Sequence, residues 1–534
     1  MKTELNIKND LSGKDFSDVF NSIIESRNIH NPDEFFNPSD EFINDPFDLK
    51  NMDVAAGIAF DIISKRKPVL VYADVDTDGI CAASIVVRYL RFFDLDVRTY
   101  INEGKIHGTT DEFVNLNNLP EDIIIVDSLD STVNRYRKLK TKGHRVIVLD
   151  HHAITKDYDK YITLVSSQRD YSNNSLCGAG VAWQFTRAVD SMLGTMYSEQ
   201  LSTLAFVGTV ADMMELDEDH MENRAIVNKG INDCNSPICK TLGGGFSGFN
   251  SHAVSFGIGP LVNASVRMYQ GNVALDAFLT DDDDTRKELI KSMKKCKDAQ
   301  NTEVESHWKT IETQLNGQEN NQIIYVFLPE DCPDTVTGLI GNRLLGTYQK
   351  PVFVLVDRSS VITGSARSVG TNDFRKLCNS TKKCKANGHE SAFGIEILKE
   401  EFKDFIDDIS NKLKDFEFSR TLNVDALIDS EVVNDTFVWR NGSYDKITGQ
   451  GFEQFTFAID IEEYEISNMS NGKHLKIVTD NMIFVEWNTK CDWDRLKEAS
   501  LLGETIRCVG SLASSYFGKT RYNVMYLDYY EVLD

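Results

Sequence analysis

Apolar and polar positions alternate along the chain in a way that predicts a parallel α/β sheet near its start. Three short apolar runs, each typical of a buried strand, end in acidic residues: VLVYAD (Val69–Asp74), IIIVD (Ile123–Asp127) and VIVLDHH (Val146–His152). Between them, Ile80–Phe93 predicts a buried helix and Ser131–Lys142 a polar one. The order β, α, β, α, β implies right-handed crossovers and parallel strands.

Because the carboxyl ends of parallel strands share one edge of the sheet, we expect the acids that end these runs to lie close together. They are Asp74, Asp127 and Asp150. His151 and His152 follow the last of them directly. Carboxylate oxygens beside imidazole nitrogens are ligands for Mn²⁺, Mg²⁺ or Zn²⁺. The pattern therefore predicts a metal site at this edge.

The turn after the first strand, DVDTDG, adds Asp76 and Asp78 to this acidic edge. Three alternating acids repel one another unless a cation neutralises them. A solvated acidic turn is one alternative. An EF-hand loop is another, although Ile85 stands at the twelfth position, where such a loop carries glutamate.

Two further segments are candidates for the same site. Asp212 lies in the apolar stretch GTVADMMEL, at the end of an apolar helix predicted over Leu201–Leu216. A lone acid there is costly unless it is neutralised, so we interpret it as a metal ligand; a helix N-cap or a buried pair with Arg224 is the alternative. The glycine-rich LCGAGVAW (Leu176–Trp183) could admit an anionic substrate to helix amides, or serve close helix packing.

A second α/β region follows a long helix predicted over Arg286–Leu315. It begins at Gln322 and contains the strand PVFVLV, a predicted turn GSARS (Gly364–Ser368) and NGHESAFG (Asn387–Gly394). Hydroxyl, amide and guanidinium donors in such a turn suit a phosphate group. A surface hairpin with a salt-bridged arginine is the alternative.

From about Arg420 the chain is rich in short strand patterns, which predict a small closed barrel of the OB type. Its aromatic residues could stack on nucleic-acid bases or could belong to the barrel core and edges. The candidates are Tyr516, Phe517, Tyr522 and Tyr526.

Composition narrows the class of protein. The 534 residues suffice for roughly three domains. A net charge of −25 argues against a chain-wide electrostatic footprint for nucleic acid, although a local basic channel remains compatible with it. Ten scattered cysteines, without a CxxC pair, favour reduced thiols and a cytoplasmic location. The sequence shows neither an apolar run long enough for a membrane span nor a signal peptide.

These motifs together resemble the DHH phosphoesterase superfamily and, within it, the RecJ-type single-strand-specific exonucleases. The resemblance rests on DVDTDG, IIIVD, VIVLDHH and GTVADMMEL, followed by GLIGNRLL, GSARS, NGHESAFG and GKHLKI. It implies an α/β fold with a parallel-sheet DHH domain, a smaller α/β DHH-associated domain joined by a long helix, and the OB-like barrel. The implied boundaries are 1–50 for a helical lead-in, 51–270 for the DHH domain, 271–318 for the connecting helix, 319–418 for the DHH-associated domain and 419–534 for the barrel.

The resemblance also implies residue roles. Two ions, Mn²⁺ or Mg²⁺, would be held by Asp76, Asp78, Asp127, His151 and Asp212, with Asp127 as the bridge. Asp74 and Asp150 would orient this cluster, and His152 would face the scissile phosphate. Substrate would contact Ser365, Arg367, His389, Arg343, Asn263 and Arg267. Where related sequences lead us to expect an arginine, this chain has INEGKIHG, with Lys105 and His107.

The implied activity is 5′-to-3′ degradation of single-stranded DNA to 5′-mononucleotides in recombination and repair. Two cations about 3.5–4 Å apart suit phosphodiester hydrolysis, because they stabilise charge on the attacking and leaving oxygens. The implied partners are single-stranded DNA and a single-strand-binding protein or helicase, with no membrane, for a monomeric enzyme. A phosphodiesterase for short oligonucleotides or cyclic dinucleotides and an inactive replication scaffold are the alternatives.

Overall fold

The computed structural model describes residues 3–243, 249–318, 320–371, 373–418, 420–470, 472–487, 489, 491, 493–517 and 520–533. These described residues fold into two compact units. Unit 1 contains Pro260–Thr421 and the short segment Ile101–His107. Unit 2 contains Leu5–Tyr100, Gly108–Gly259 and the chain from Leu422 onward. The finer division into five domains stays a prediction.

The strands and helices have the following bounds. The strands are β1 (Thr3–Ile7), β2 (Val69–Ala73), β3 (Val97–Ile101), β4 (Asp122–Val126), β5 (Arg145–Asp150), β6 (Thr163–Ser166), β7 (Ile324–Leu328), β8 (Val352–Arg358), β9 (Val361–Arg367), β10 (Cys384–Gly388), β11 (Ala392–Leu398), β12 (Arg420–Val424), β13 (Ala426–Leu427), β14 (Phe457–Ile461), β15 (Glu465–Met469), β16 (His474–Val478), β17 (Met482–Glu486), β18 (Ile506–Phe517) and β19 (Thr520–Val532). The helices are α1 (Phe16–Ser26), α2 (Pro32–Phe36), α3 (Met52–Ser64), α4 (Thr77–Phe92), α5 (Asp111–Val114), α6 (Val133–Thr141), α7 (Gly178–Leu193), α8 (Ser202–Ala211), α9 (Met221–Asp233), α10 (Pro237–Gly243), α11 (Ser251–Ala253), α12 (Gly259–Arg267), α13 (Gly271–Leu279), α14 (Asp283–Leu315), α15 (Asp334–Tyr348), α16 (Phe374–Asn379), α17 (Phe402–Lys412), α18 (Asp435–Tyr444) and α19 (Trp493–Leu502).

The parallel sheet predicted from the apolar runs is present in unit 2. Its described strands follow the order β3-β2-β4-β5-β6. The pairs β2–β4, β4–β5 and β5–β6 are all parallel. Every residue of β2 and β4 is buried, which agrees with their uninterrupted apolar sequence. The prediction of a parallel α/β sheet is therefore confirmed, and the carboxyl ends of β2, β4 and β5 lie at one edge.

Three helices of unit 2 begin or end close to these acidic residues. Helix α4 starts directly after β2, with Asp76 as its N-cap. Helix α7 starts at Gly178, and the apolar helix α8 ends immediately before Asp212. The loops that carry the candidate ligands are thus fixed by helix termini on one side and by buried strands on the other.

Unit 1 contains a second sheet, whose described strands follow the order β10-β11-β9-β8-β7. The segment GSARS does not form the predicted turn. Gly364–Arg367 belongs to β9, which pairs with both β8 and β11. The reason is a period-two pattern in which Ile362 and Ala366 are buried while Ser365 and Arg367 are partly exposed, and glycine and serine masked this alternation. The long helix α14 packs within unit 1 against β7.

The C-terminal part of unit 2 is a mixed sheet with the described strand order β13-β14-β18-β19-β17-β16-β15. Only Glu462–Tyr464 separate β14, near one end of this order, from β15 at the other end, so a short stretch of chain links the two ends of the sheet. β17 and β19 are parallel, and α19 connects β17 to β18. This connectivity agrees with the predicted OB-like barrel.

The N-terminal lead-in packs on this C-terminal region. The ring of Phe20 lies 4.7 Å from that of Phe437, and the ring of Phe36 lies 4.4 Å from that of Tyr444. Arg27 makes two hydrogen bonds to the carboxylate of Asp425, at 2.9 and 2.7 Å. The two ends of the chain therefore share one apolar core. β1, which the sequence patterns did not predict, pairs with β12.

Two expectations from composition can be compared with the structure. All ten cysteines lie in the described part of the chain, and all are unpaired, as expected for reduced thiols. Among the described helices, none is both long enough and apolar enough to span a membrane.

Close packing of α7 against β4 depends on a glycine. A Cβ atom added to Gly178 would lie 2.7 Å from the Cβ atom of Asp127, well inside van der Waals contact. Asp127 belongs to the rigid junction after β4, so neither side can move without shifting backbone. In contrast, a Cβ atom at Gly57, in α3, would meet no atom within 4 Å.

We expect Gly178→Ala to lower the free energy of unfolding by about 1–3 kcal/mol, the usual cost of forcing an extra methyl into a packed site. The measurement is chemical denaturation of the purified variant. Gly57→Ala is the matched control, and it should be neutral or stabilising by up to about 1 kcal/mol, because alanine is the better helix former. Equal stability of the two variants would contradict the packing argument.

Candidate metal centre

The structure brings the predicted acidic and imidazole residues to one edge of the unit 2 sheet. Asp74, Asp127 and Asp150 end or directly follow β2, β4 and β5, and His151 and His152 continue from β5. Each residue of the predicted set either lies within 4 Å of another residue of the set or shifts the pKa of one through its charge. All residues of the set are therefore close together. The set is Asp74, Asp76, Asp78, Asp127, Asp150, His151, His152 and Asp212.

His151 is at the centre of this cluster. Its Nε2 atom lies 3.2 Å from Oδ1 of Asp127 and 3.3 Å from Oδ2 of Asp212. Oδ2 of Asp78 is 3.9 Å away. Metal–ligand bonds of about 2.1 Å put neighbouring ligand atoms about 3.0–3.4 Å apart, so these distances suit ligands that share a cation.

The protonation of these groups also suits a cation. Burial, with smaller opposing influences from nearby acids, lowers the pKa of His151 and favours its neutral form, which has a free lone pair. Burial and then the charges of Asp78, Asp76, Asp74 and Asp150 raise the pKa of Asp127 well above its usual range. Its Oδ1 atom is buried and has no hydrogen-bond partner among the described residues.

The pKa of Asp212 is raised for the same reasons as that of Asp127. Burial, followed by the charges of Asp78 and Asp76, raises its pKa to about 8. The alternatives considered for Asp212 do not hold: the residue ends α8, and Arg224 instead donates to the carbonyl oxygens of Phe35 and Leu216. The interpretation of Asp212 as part of the acidic cluster is supported by these contacts.

The glycine-rich start of α7 holds a carboxylate of the protein. The amides of Gly178 and Ala179 donate to Oδ2 and Oδ1 of Asp78, at 2.7 and 2.9 Å. These are N-terminal amides, where the helix favours negative charge. The expected access of an anionic substrate to these two amides is therefore wrong, because Asp78 already occupies them.

His152 has a different environment from His151. Its Nδ1 atom lies 3.1 Å from Oδ1 of Asp150, and this hydrogen bond, despite opposing burial, raises the pKa of His152 to about 9. Burial alone would raise the pKa of Asp150, but the hydrogen bond and charge of His152 lower it. The side chain of His152 is 53% exposed. A cationic imidazole is thus presented to solvent at the edge of the cluster.

The remaining acids are fixed by hydrogen bonds. Oδ1 of Asp74 accepts from the hydroxyl of Ser128 at 2.8 Å. Oδ1 of Asp76 accepts from the amide of Gly79 at 2.9 Å. Oδ2 of Asp150 accepts from the amide of Leu129 at 2.7 Å. These contacts orient the carboxylates, and their assignment as metal ligands or supporting groups stays a prediction.

In unit 1, the predicted substrate residues Ser365 and Arg367 lie on β9. Oγ of Ser365 is 2.8 Å from Oγ1 of Thr337, and Nε of Arg367 donates to Oδ1 of Asn342 at 2.7 Å. Burial, and then the positive charge of Arg267, lowers the pKa of Arg367. Two guanidinium groups that are both partly buried and mutually repelling are well suited to an anion.

The other predicted substrate residues have varied surroundings. Asn263 and Arg267 are four residues apart on α12 and therefore on one face of it. His389 is exposed in the hairpin between β10 and β11. Arg343 already pairs with Glu305 at 2.5 Å and stacks 3.6 Å above the ring of Trp308, which gives it a structural role in α15.

Sequence reasoning missed several groups around these sites. One of these groups is Lys297. Burial and the positive charge of the nearby Arg267 lower the pKa of Lys297. Ser128, Thr337 and Asn342 orient predicted residues. A lysine on a long polar helix and small polar residues give no distinguishing sequence signal, since their partners are brought near only by the fold.

An aromatic row on the barrel consists of His474, Trp487 and Tyr526. The sequence patterns singled out only Tyr526. Trp487 follows β17, stands opposite His474 on β16 at 4.8 Å between rings, and lies 6.5 Å from Tyr526 on β19 in a nearly parallel arrangement. Trp487 is 54% exposed. Tyr522 is also exposed, whereas the side chains of Tyr516 and Phe517 lie outside the described part of the structure.

Comparisons with known proteins agree with this geometry. Residues 68–209 match the model of the DHH family, N-terminal domain. The chain is 25% identical over 501 residues to YorK, an SPβ prophage-derived protein of Bacillus subtilis strain 168 provisionally named a single-strand DNA-specific exonuclease; the match covers 86% of each chain. It is 26% identical over 392 residues to the single-stranded-DNA-specific exonuclease RecJ of the same bacterium, covering 69% of this chain and 48% of that protein.

A solved structure extends the likeness to the whole fold. The crystal structure of RecJ from Thermus thermophilus in complex with Mn²⁺ superposes with a TM-score of 0.79 at 21% identity, covering 100% of this chain and 80% of that one. At this identity the match establishes the fold. Residues 68–209 are therefore similar to the N-terminal domain of the DHH family, and the chain that contains them is similar to RecJ-type exonucleases along most of its length.

Proposed function

We propose that this protein is a metal-dependent exonuclease that degrades single-stranded DNA from the 5′ end to 5′-mononucleotides, in recombination and repair. The observation that carries the proposal is the approach of His151 Nε2 to Asp127 and Asp212, at 3.2 and 3.3 Å. A neutral imidazole between the buried carboxylate of Asp127 and the partly exposed carboxylate of Asp212, in a fold similar to RecJ, is suited to divalent cations.

The ligands of two Mn²⁺ or Mg²⁺ ions would be Asp76, Asp78, Asp127, His151 and Asp212. When bound, such ions neutralise charge on the phosphate and activate water. Oxygen ligands beside one imidazole favour a transition ion such as Mn²⁺ over Ca²⁺. In this assignment Asp127, whose Oδ1 atom lies 3.2 Å from Nε2 of His151, would be the ligand shared by the two ions.

The chain's own groups then have separate tasks. His152, held cationic by Asp150, would contact the scissile phosphate and stabilise negative charge that grows on its oxygens. Asp74 and Asp150, which accept hydrogen bonds from Ser128 and Leu129, would orient the cluster. In unit 1, Ser365, Arg367, Arg267, Asn263 and His389 would hold the nucleotide that is released. Its protein partners would be a single-strand-binding protein or a helicase, and the enzyme would act as a monomer.

Replacing Asp127 with Asn should abolish cleavage of single-stranded DNA in Mn²⁺. We expect a loss of more than about 100-fold, because even residues that only support a metal ligand contribute about 10- to 100-fold. The measurement is release of nucleotides from labelled DNA. Asp157→Asn, at an exposed acid of the same unit, is the matched control and should retain activity. Full activity of a folded Asp127→Asn variant would disprove the metal assignment.

The direction and substrate length can be tested separately with end-labelled strands. A 5′ label should be released as mononucleotide first, and a blocked 5′ end should stop degradation while a blocked 3′ end should not. Early loss of a 3′ label would contradict the polarity. Preference for a dinucleotide over a long strand would favour the short-oligonucleotide phosphodiesterase instead.

Trp487 should contribute to strand binding through the aromatic row on the barrel. Stacking of one base on an aromatic side chain is worth about 1–3 kcal/mol, so Trp487→Ala should weaken affinity for single-stranded DNA by about 5- to 150-fold. Trp439, which is exposed on α18 outside the row, provides the matched control, Trp439→Ala. Fluorescence anisotropy measures both, with each substitution placed in the Asp127→Asn background so that the strand is not cleaved. Equal affinities of the two variants would remove the row from the binding surface.

A further inference from the structure

A cluster of mixed ligand type lies in unit 1, and none of its three residues has been assigned a role above. Glu303 and His307 are four residues apart on α14, and Nε2 of His307 lies 3.1 Å from Oε1 of Glu303. Cys332, in the connection between β7 and α15, completes the cluster: one ligand atom from each of the three residues lies within 4.8 Å of the others. Its Sγ atom is supplied from a different element, so the cluster joins a helix to a loop.

The cluster is held in a defined and partly dehydrated setting. Cys332 is 1% exposed, and the side chain of His307 is 12% exposed. Arg358 fixes the loop by donating to the carbonyl oxygens of Glu330 and Cys332 and to the carboxylate of Asp334. A loop clamped in this way presents its thiol in one place, and that reduces the entropy lost when a ligand binds.

The chemistry of the three groups is selective. Thiolate sulfur and imidazole nitrogen are ligands for borderline divalent metals, whereas Mg²⁺, Ca²⁺ and Mn²⁺ prefer oxygen. The surrounding charge is negative, because Asp331 and Asp334 flank Cys332. We propose that Glu303, His307 and Cys332 bind a Zn²⁺-class cation, which fastens α14 to the loop after β7 and leaves one coordination position for water.

Binding at this site has a proton balance. Burial and then the charge of Glu303 raise the pKa of the Cys332 thiol to about 11, so without a cation the sulfur is protonated. Formation of the metal–sulfur bond releases that proton to solvent, and the affinity therefore rises with pH. Because the unfolded chain does not hold the three groups together, the cation should also stabilise the folded unit.

Cobalt(II) provides a readout that the acidic centre of unit 2 cannot give. A cobalt–thiolate bond absorbs in the near ultraviolet, whereas oxygen and imidazole ligands alone give no such band. Titration of the full-length protein with Co²⁺ should produce this absorption, with a final amplitude that corresponds to one thiolate-bound Co²⁺ per chain, and Zn²⁺ should remove it. The band should persist in Asp127→Asn and in Cys384→Ser, which changes another cysteine of unit 1.

Two variants of the cluster decide the proposal. Cys332→Ser should abolish the thiolate band, and His307→Gln, which keeps the thiol, should weaken Co²⁺ binding at least about tenfold, as expected for loss of one ligand. If Cys332→Ser does not fold, His307→Gln decides alone. The proposal is overturned if the wild-type protein gives no band at saturating Co²⁺, or if His307→Gln binds Co²⁺ as tightly as wild type. The cluster would then be a helix ion pair beside a buried thiol.

Discussion

Unit 2 depends on one constraint, the crowding of buried carboxylates at the edge of its parallel sheet. Asp78, Asp127 and Asp150 are at most 1% exposed, and the negative charges of Asp78 and Asp150 raise the pKa of Asp127. Like charges in such surroundings destabilise a fold unless hydrogen bonds or cations compensate. The chain supplies the hydrogen bonds from helix amides, from a serine and from a histidine. It leaves Oδ1 of Asp127 without one among the described residues.

The compensation determines which residues are neutral and which are charged. His151, enclosed among carboxylates, is driven towards its neutral form by burial, and its neighbour His152 is held cationic by Asp150. Two adjacent residues of the same type thus serve opposite electrostatic purposes. One supplies a lone pair to the interior of the cluster, and the other supplies positive charge to its surface.

The parallel sheet and much of its acidic cluster could be predicted from the sequence, because buried parallel strands give a simple pattern of apolar runs that end in acids. Asp212 was identifiable from its apolar neighbours alone. The pattern failed where local chemistry imitates another structure: glycine and serine in β9 look like a turn, although the strand pairs on both sides. It also failed at α7, because the partner of its amides, Asp78, is 100 residues away along the chain.

The barrel shows a related limit. Strand patterns predicted its β-rich character, but the order of its strands and the aromatic row depend on the pairing of β16, β17 and β19. Trp487 is ordinary in sequence and becomes informative only beside His474 and Tyr526. Long-range pairing, which no local window records, is therefore what separates the predicted from the observed features.

The shared core of the chain's two ends has a consequence for synthesis on the ribosome. Phe20 and Phe36 can contact their partners only after Phe437 and Tyr444 have been synthesised. Arg27 and its partner Asp425 are 398 residues apart in the sequence. At about 5–20 residues per second, the delay is roughly 20–80 s. During that interval the first helices present apolar surface that only chaperones or transient contacts can cover, so this part of unit 2 assembles only after Tyr444 has been made.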